Sequence, residues 1–366
     1  MSGRRVPPDY ILLLTVAALL ALGLVMVLSA SSVVAGAQLG DPYHFFIHQL
    51  LWTVLGLIGF LICLRVDYWR WQGLSRLILA VTLVLLVAVL IPGIGIATKG
   101  ARRWLGAGGL TFQPSEMAKL TMVVWVSSWL AARGPDRLVR FARGALPALV
   151  GVLVVAGLIL KEPDLGTAAA LAATSLVLLY VAGVPVGQLG ALCALALPAL
   201  AVIIFGSGYR RSRFLAFLDP AAHPRSTGYH ILQSLYALGS GGLFGVGLGQ
   251  SRQKYFYLPE PHTDFIFAVL GEELGFLGGL AVLVLFGILI WRGFRIAASA
   301  PDLFGTLLAA GVTTMLAVQA IVNIAAVTSV LPVTGIPLPL LSYGGSSLVF
   351  TLTGIGLLAN ISRHAR

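Results

Sequence analysis

The stretch "YLPEPHTDFIFAVLGEELGF", which ends at Phe276, sets Asp264, Glu272 and Glu273 among aromatic and aliphatic residues. The whole chain has only 13 Asp plus Glu in 366 residues, so this concentration of acid needs a reason. Ionisable groups inside apolar segments are costly at membrane depth, and they are usually paired or functional. Asp264 admits two readings. Pro259 and Pro261 keep the approach extended, so Thr263 or Asp264 can cap a short helix. Alternatively, Asp264 is a carboxylate in a partly apolar pocket, able to take a proton as a general base. Phe265 to Ile290 is 26 residues, which as one helix would be about 39 Å long against about 30 Å of hydrocarbon. A break or tilt is therefore expected near Gly271, with Glu272 and Glu273 at the outer interface.

Three more places put reactive or irregular residues where lipid would disfavour them. In "TFQPSEMAKL", Pro114 suits a helix start, and Glu116 and Lys119 share one helix face. They form either a local ion pair with a snorkelling lysine or a bundle-facing lysine that pairs with Asp264. "KEPDLGTA", Lys161 to Ala168, is a short turn whose charges are either solvated or part of the site. "LPVTGIPLPLLSYGGSS", Leu331 to Ser347, holds three prolines and three glycines that no regular helix accommodates. It is either a tight packing seam or the irregular lining of a polar cavity, with free N–H groups at a helix start that suit an anion.

The elements that must position these residues follow from composition. The chain is 58% hydrophobic and 10% charged, with a mean hydropathy of +0.96. A soluble domain carries about 25% charged residues. The pattern implies an all-α polytopic membrane protein rather than a barrel, whose strands would alternate. About ten spans are expected, near 10–30, 46–64, 75–92, 113–132, 145–161, 165–182, 187–206, 269–291, 304–328 and 344–362. The stretch 207–268 becomes a large extracellular loop between the seventh and eighth spans. The basic start and apolar run of the N-terminus read as an uncleaved first span rather than a signal peptide.

The net charge of +11 would point a soluble protein toward nucleic acid. Here the positive-inside bias accounts for it, and no nucleic-acid partner is expected. Arg4, Arg5, Arg65, Arg70, Arg76, Arg133, Arg137, Arg140, Arg143, Arg292, Arg295, Arg363 and Arg366 fall on one side, and Lys99, Arg102, Arg103 and Lys161 on the other. Both termini are thus expected in the cytoplasm. The long loop adds Arg210, Arg211, Arg213, Arg225, Arg252 and Lys254. Cys63 and Cys193 lie in separate apolar runs and imply neither a disulfide nor a zinc site. These residues together describe an outer cluster of acids and cations that handles an anionic, lipid-borne substrate, as an enzyme or as a transporter.

The motifs "GARRWL", "QPSEMAKL", "KEPDLGTA", "GYHILQSLYALGSGGLFGVGLGQSRQKYFYLPEPHTDFIFAVLGEELGF" and "LPVTGIPLPLLSYGGSS" resemble, in order and over nearly the whole chain, the SEDS family of shape, elongation, division and sporulation proteins. "GQSRQKYFYLPE" is more similar to the FtsW and SpoVE type than to RodA. The resemblance implies one ten-span domain over 1–366 in the bacterial inner membrane, with 207–268 carrying the catalytic segment. It implies a peptidoglycan glycosyltransferase that polymerises lipid II outside that membrane. A class B penicillin-binding protein, a transpeptidase, would be its partner among divisome or elongasome proteins. The alternatives are a lipid II flippase or a non-catalytic scaffold.

By the same resemblance, Asp264 matches the essential aspartate, and Lys119 and Glu116 the charged pair of the fourth span. Arg102, Arg103 and Trp104 match an element before that span, and Ser342, Gly344, Gly345 and Ser346 belong to the last motif. The implied reaction needs a base for the acceptor hydroxyl and cations for a departing diphosphate. Asp264 is the expected base. Arg102, Arg103, Arg210, Arg211, Arg213 and Lys254 are candidate phosphate contacts, and His262 and Trp104 further substrate contacts. A divalent cation, Mg or Mn, would assist. Some division-type members have a lysine where this chain has Thr334.

Overall fold

The computed structural model describes residues 6–98, 100–107, 110–133, 141, 144–224 and 228–364. Arg4, Arg5, Lys99, Arg137, Arg140, Arg143, Arg225 and Arg366 lie outside the described residues. The helices are α1 (Tyr10–Leu39), α2 (His44–Arg65), α3 (Tyr68–Leu90), α4 (Pro114–Ala131), α5 (Ala145–Lys161), α6 (Leu165–Val181), α7 (Val186–Phe205), α8 (Gly208–Leu218), α9 (Tyr229–Ser240), α10 (Ile266–Ala298), α11 (Leu303–Val327) and α12 (Gly345–Ser362). Among the described residues, α1, α2, α3, α7, α10, α11 and α12 are long and apolar enough to cross a membrane. The apolar helices α5 and α6 are shorter.

Between α3 and α4 the chain leaves the helical pattern for a small antiparallel sheet, β1 (Ile96–Thr98), β2 (Ala101–Ala107) and β3 (Leu110–Phe112), in the order β1-β2-β3. The stretch expected as one loop, 207–268, contains α8, a 3₁₀ turn at Pro220–Ala222 and α9 before its irregular end.

Helices α4, α11 and α12 form the centre. Most of each is buried, their few polar side chains included. α7 has no fully buried residue and touches the core only through half-buried side chains such as Leu189 and Leu192. Small residues permit the closest backbone contacts. A Cβ on Gly23 would lie 2.2 Å from the Leu340 carbonyl, so α1 packs directly on the irregular 331–344 segment.

The expected break in the eighth apolar segment lies at Gly275 (φ 68°, ψ −166°) rather than near Gly271. Breaking a helix strands carbonyls before the kink and N–H groups after it. The loop after α9 supplies both sets of partners. Val246 and Gly247 donate their N–H to the carbonyls of Glu272 and Glu273, each at 3.0 Å. Phe276 and Leu277 donate to the carbonyls of Gly242 and Leu243 at 2.8 and 3.2 Å. A Cβ on Gly275 would meet the Gly245 nitrogen at 2.3 Å, so the crossing needs glycine.

Glu272 and Glu273 are fully buried within the protein. The Glu272 carboxylate accepts hydrogen bonds from the Ser251 hydroxyl and from the N–H groups of Arg252 (3.0 Å) and Gln253 (3.3 Å). Glu273 accepts from Ser29 of α1 at 2.7 Å and from the Lys254 ammonium at 3.0 Å. The ammonium also donates to the Gly249 carbonyl and the Ser29 hydroxyl. This clamp ties the loop, α1 and α10 together. Replacing Glu273 by Ala strands the buried Lys254 charge, which costs about 3–5 kcal/mol. The expected result is a clear drop in the thermal unfolding midpoint of the purified protein; an unchanged midpoint contradicts the clamp.

Candidate active site

Asp264 ends an irregular segment whose carbonyls are each held from outside. The Tyr343 N–H donates to His262 O at 2.8 Å. The Ser342 hydroxyl donates to Thr263 O at 2.6 Å. The Asn323 amide donates to Asp264 O at 2.8 Å, and the same nitrogen donates to Ile336 O at 2.8 Å. The N-cap of α10 is Phe265, without a side-chain cap, so neither Thr263 nor Asp264 is the cap. Asp264 is half-buried. A Cβ on Gly335 would stand 3.7 Å from its Oδ2, and a glycine at φ 78° leaves that side of the carboxylate uncrowded.

Asp264 lines a chamber of about 1250 Å³, more than the usual volume of a small-molecule pocket. Arg103 and Trp104 of β2, Glu116 of α4, Arg210 and Arg213 of α8, and Gly344, Gly345 and Ser346 at the start of α12 line the same chamber. Arg103 is aimed by the turn between α5 and α6. Its guanidinium donates to the carbonyls of Glu162 (2.8 Å) and Pro163 (2.6 Å) and lies 4.0 Å from Asp164. Asp164 in turn caps α6 by accepting from the Thr167 N–H at 3.0 Å. Arg210 reaches the carbonyls of Ile203 and Leu160, and Arg213 lies over the Tyr209 ring. Gly345 admits the Trp52 indole, which a Cβ would strike at 2.3 Å. Gly344 caps α12 without a side chain, and Ser346 Oγ accepts from the Gln113 N–H at 2.9 Å.

Several expected members are placed elsewhere. Lys254 is consumed in the clamp. Arg211 is exposed while Arg210 and Arg213, three apart on α8, share the chamber face. Arg102 is exposed beside Arg103 and is not among the chamber-lining residues. His262 is buried against Phe45 at 4.6 Å between ring centroids and lies 5.6 Å from the Tyr343 ring. Ser342 acts through its hydroxyl on Thr263 rather than as a lining group. Lys119 is buried and donates to Glu116 (2.9 Å) and to Gln319 of α11 (2.8 Å), rather than to Asp264. The sequence reading missed Gln319 and Asn323. The signal was present: two amides four apart, hence on one face, in an otherwise apolar helix.

Among the described residues no group of three or more His, Cys, Asp or Glu is arranged to hold a metal ion. A Mg²⁺-like ion, which relies on one or two carboxylates plus substrate phosphates and water, would have to share Asp264 or Glu116 with the substrate.

The family model described as "Cell cycle protein", which covers FtsW, RodA and SpoVE, matches residues 10–366. The chain is 45% identical to stage V sporulation protein E of Bacillus subtilis (strain 168) over 366 residues, covering 100% of both. It is 44% identical to a probable peptidoglycan glycosyltransferase FtsW of Trichlorobacter lovleyi, covering 97% of this chain and 93% of that one. Among solved structures, it is similar to a chain from a study of a peptidoglycan synthase complex that coordinates polymerisation and crosslinking (TM-score 0.79, 35% identity, 97% and 98% covered). It is also similar to the rod shape determining protein RodA of Thermus thermophilus (TM-score 0.72, 33% identity, 97% of each chain covered).

Glu162, behind Arg103, gives the site a pH signature. Its carboxyl is fully buried, and neither oxygen has a hydrogen-bond partner among the described residues. Burial, reinforced by the Asp164 charge and opposed by Arg103, pushes it from 4.5 up to about 8. Because the folded-state value lies above the unfolded one, its contribution to stability is complete below about pH 4.5 and is lost as pH rises through about 8. Glu162→Gln cannot ionise. Its unfolding midpoint relative to the parent protein should climb across that window; a pH-independent difference contradicts the buried neutral acid.

Proposed function

The chain belongs to the FtsW/RodA/SpoVE family, and from that premise we propose that it is a peptidoglycan glycosyltransferase. It polymerises lipid II into glycan strands at the outer face of the bacterial inner membrane, in cell division or cell shape. The observation that carries this reading is the single chamber that joins the Asp264 carboxylate to the guanidinium groups of Arg103, Arg210 and Arg213.

The chemistry has two halves. The acceptor sugar's 4-hydroxyl oxygen forms a bond to the donor's anomeric carbon while the bond from that carbon to the diphosphate oxygen breaks. Asp264 takes the hydroxyl proton as the new bond forms. The arginines receive the charge that develops on the departing undecaprenyl diphosphate, for which a planar, fork-shaped cation is well matched. The free N–H groups at the start of α12 add a further anion-facing element. One carboxylate acting on a good leaving group fits direct displacement with inversion, rather than the two-carboxylate glycosidase scheme.

Lys119 acts at one remove. Its ammonium fixes Glu116 at the chamber floor and joins α4 to α11 through Gln319. Asn323 lies one turn further along α11 and holds the Asp264 backbone. Catalytic groups must be kept close to productive geometry by such supporting contacts. A divalent cation, Mg or Mn, would supply further charge neutralisation at the diphosphate when bound.

The rest of the reading is a single ten-span domain with both termini in the cytoplasm, the chamber outside, and 207–268 as the loop that carries the catalytic segment. A class B penicillin-binding protein of the divisome or elongasome would crosslink the strands that it makes. A lipid II transporter could use the same chamber but would form no bond. Purified protein in detergent, given lipid II, separates the two, since there are no membrane sides to cross. Longer glycans are the expected product. Asp264→Ala should lower their rate of formation by about 10²–10⁴-fold, the usual contribution of a positioned base, with the unfolding midpoint retained. Normal polymerisation by that variant removes Asp264 from the base role.

A further inference from the structure

The loop between α9 and the clamp has a surface that neither the chamber nor the clamp uses. Residues 241–250, "GGLFGVGLGQ", contain no charged side chain. Leu243, Phe244, Val246 and Leu248 are exposed, Phe244 by 78%. Four large apolar side chains on one short loop, turned outward together, are not the scatter expected on a water-facing surface.

Its backbone tells the same story. The carbonyls of Gly241, Gly242 and Leu243 each accept a hydrogen bond, from Gly245, Phe276 and Leu277. The N–H groups of Gly245, Val246 and Gly247 are likewise paired, with Gly241, Glu272 and Glu273. These six backbone groups are thus satisfied within the protein, which lowers the cost of bringing this part of the loop against the membrane.

The height of the loop follows from α10. Phe276 and Leu277, to which the loop is bonded, are exposed and continue into the exposed Leu280, Leu283 and Val284. That strip ends at Trp291 and Arg292, an aromatic and a cation that suit a membrane boundary. Sixteen residues of helix separate Phe276 from Arg292, about 24 Å. The hydrocarbon layer is about 30 Å thick. The loop therefore meets α10 below the far edge of that layer, and helix tilt would only lower it. Tyr255, Phe256 and Tyr257, also exposed, follow the clamp and supply the ring types that favour an interface.

We propose that residues 242–248 form a lipid-binding loop seated in the leaflet on the Asp264 side, with Leu243, Phe244, Val246 and Leu248 among the acyl chains. The occupant of this surface is bilayer lipid, because the loop continues the lipid-facing strip of α10. The clamp then has one anchor in protein and one in the membrane. This inference does not depend on the glycosyltransferase reading.

Spin labels test it on the full chain in phospholipid vesicles without any partner. Phe244→Cys carries the label in a Cys193→Ser background, since Cys193 is exposed and Cys63 is buried. Leu248→Cys is the second site should the first variant express poorly. Leu283→Cys on α10 serves as the lipid-facing reference. The expected result is relaxation by oxygen well above relaxation by a water-soluble nickel chelate, as at Leu283. Preferential relaxation by the nickel chelate would mean a water-facing loop, open to solvent or to a protein partner, and overturns the proposal. Shielding from both agents would mean packing against protein and overturns it equally.

Discussion

Three hydrogen bonds to the successive carbonyls of His262, Thr263 and Asp264 organise the site. A proline-rich segment packed into the protein can form no helix and cannot leave its polar groups bare. Its partners come from a backbone N–H, a hydroxyl and an amide, on two further stretches of chain. The 331–347 segment is irregular for the same reason, and each irregular stretch satisfies the other. Asn323 binds both, since one nitrogen reaches Asp264 O and Ile336 O. The backbone on either side of Asp264 is thus held from two further stretches of chain, and its side chain lines the chamber.

The few acids are divided by task. Glu272 and Glu273 hold the loop across the α10 break, where charge-assisted bonds are strong because water is excluded. Glu116 balances the buried Lys119. Asp164 caps α6 and stands behind Arg103, beside the neutral Glu162. Asp264 lies at the chamber wall together with Arg103 and Arg210, which backbone carbonyls hold, and Arg213, which lies over the Tyr209 ring. That division leaves arginines on the chamber wall while the buried Lys119 and Lys254 are neutralised by Glu116 and Glu273.

Much of this was legible in the sequence. The helices follow from long apolar runs, and Asp264 is conspicuous as an acid after two prolines. What was missed depended on partners distant in sequence. The kink falls at Gly275 because a loop some thirty residues upstream supplies its hydrogen bonds there. Lys254 looked like a phosphate contact because nothing local shows that Glu273 and Ser29 consume it. Arg102 and Arg103 were inseparable because nothing local shows that the Glu162 and Pro163 carbonyls hold Arg103 alone. Arg211 would have been set apart from Arg210 and Arg213 had a helix been read there. Gln319 and Asn323 were readable, as polar residues one turn apart in an apolar helix, and were overlooked because no charge drew attention to them.

The central claim is that Asp264 moves a proton rather than merely holding substrate. Asp264→Asn keeps the shape and the backbone bonds but removes the base. Lipid II affinity and glycan synthesis measured on the same purified sample test the claim most directly. Affinity close to that of the parent protein, with synthesis lost, is the predicted result. Affinity lost in step with synthesis, or synthesis retained, would contradict it.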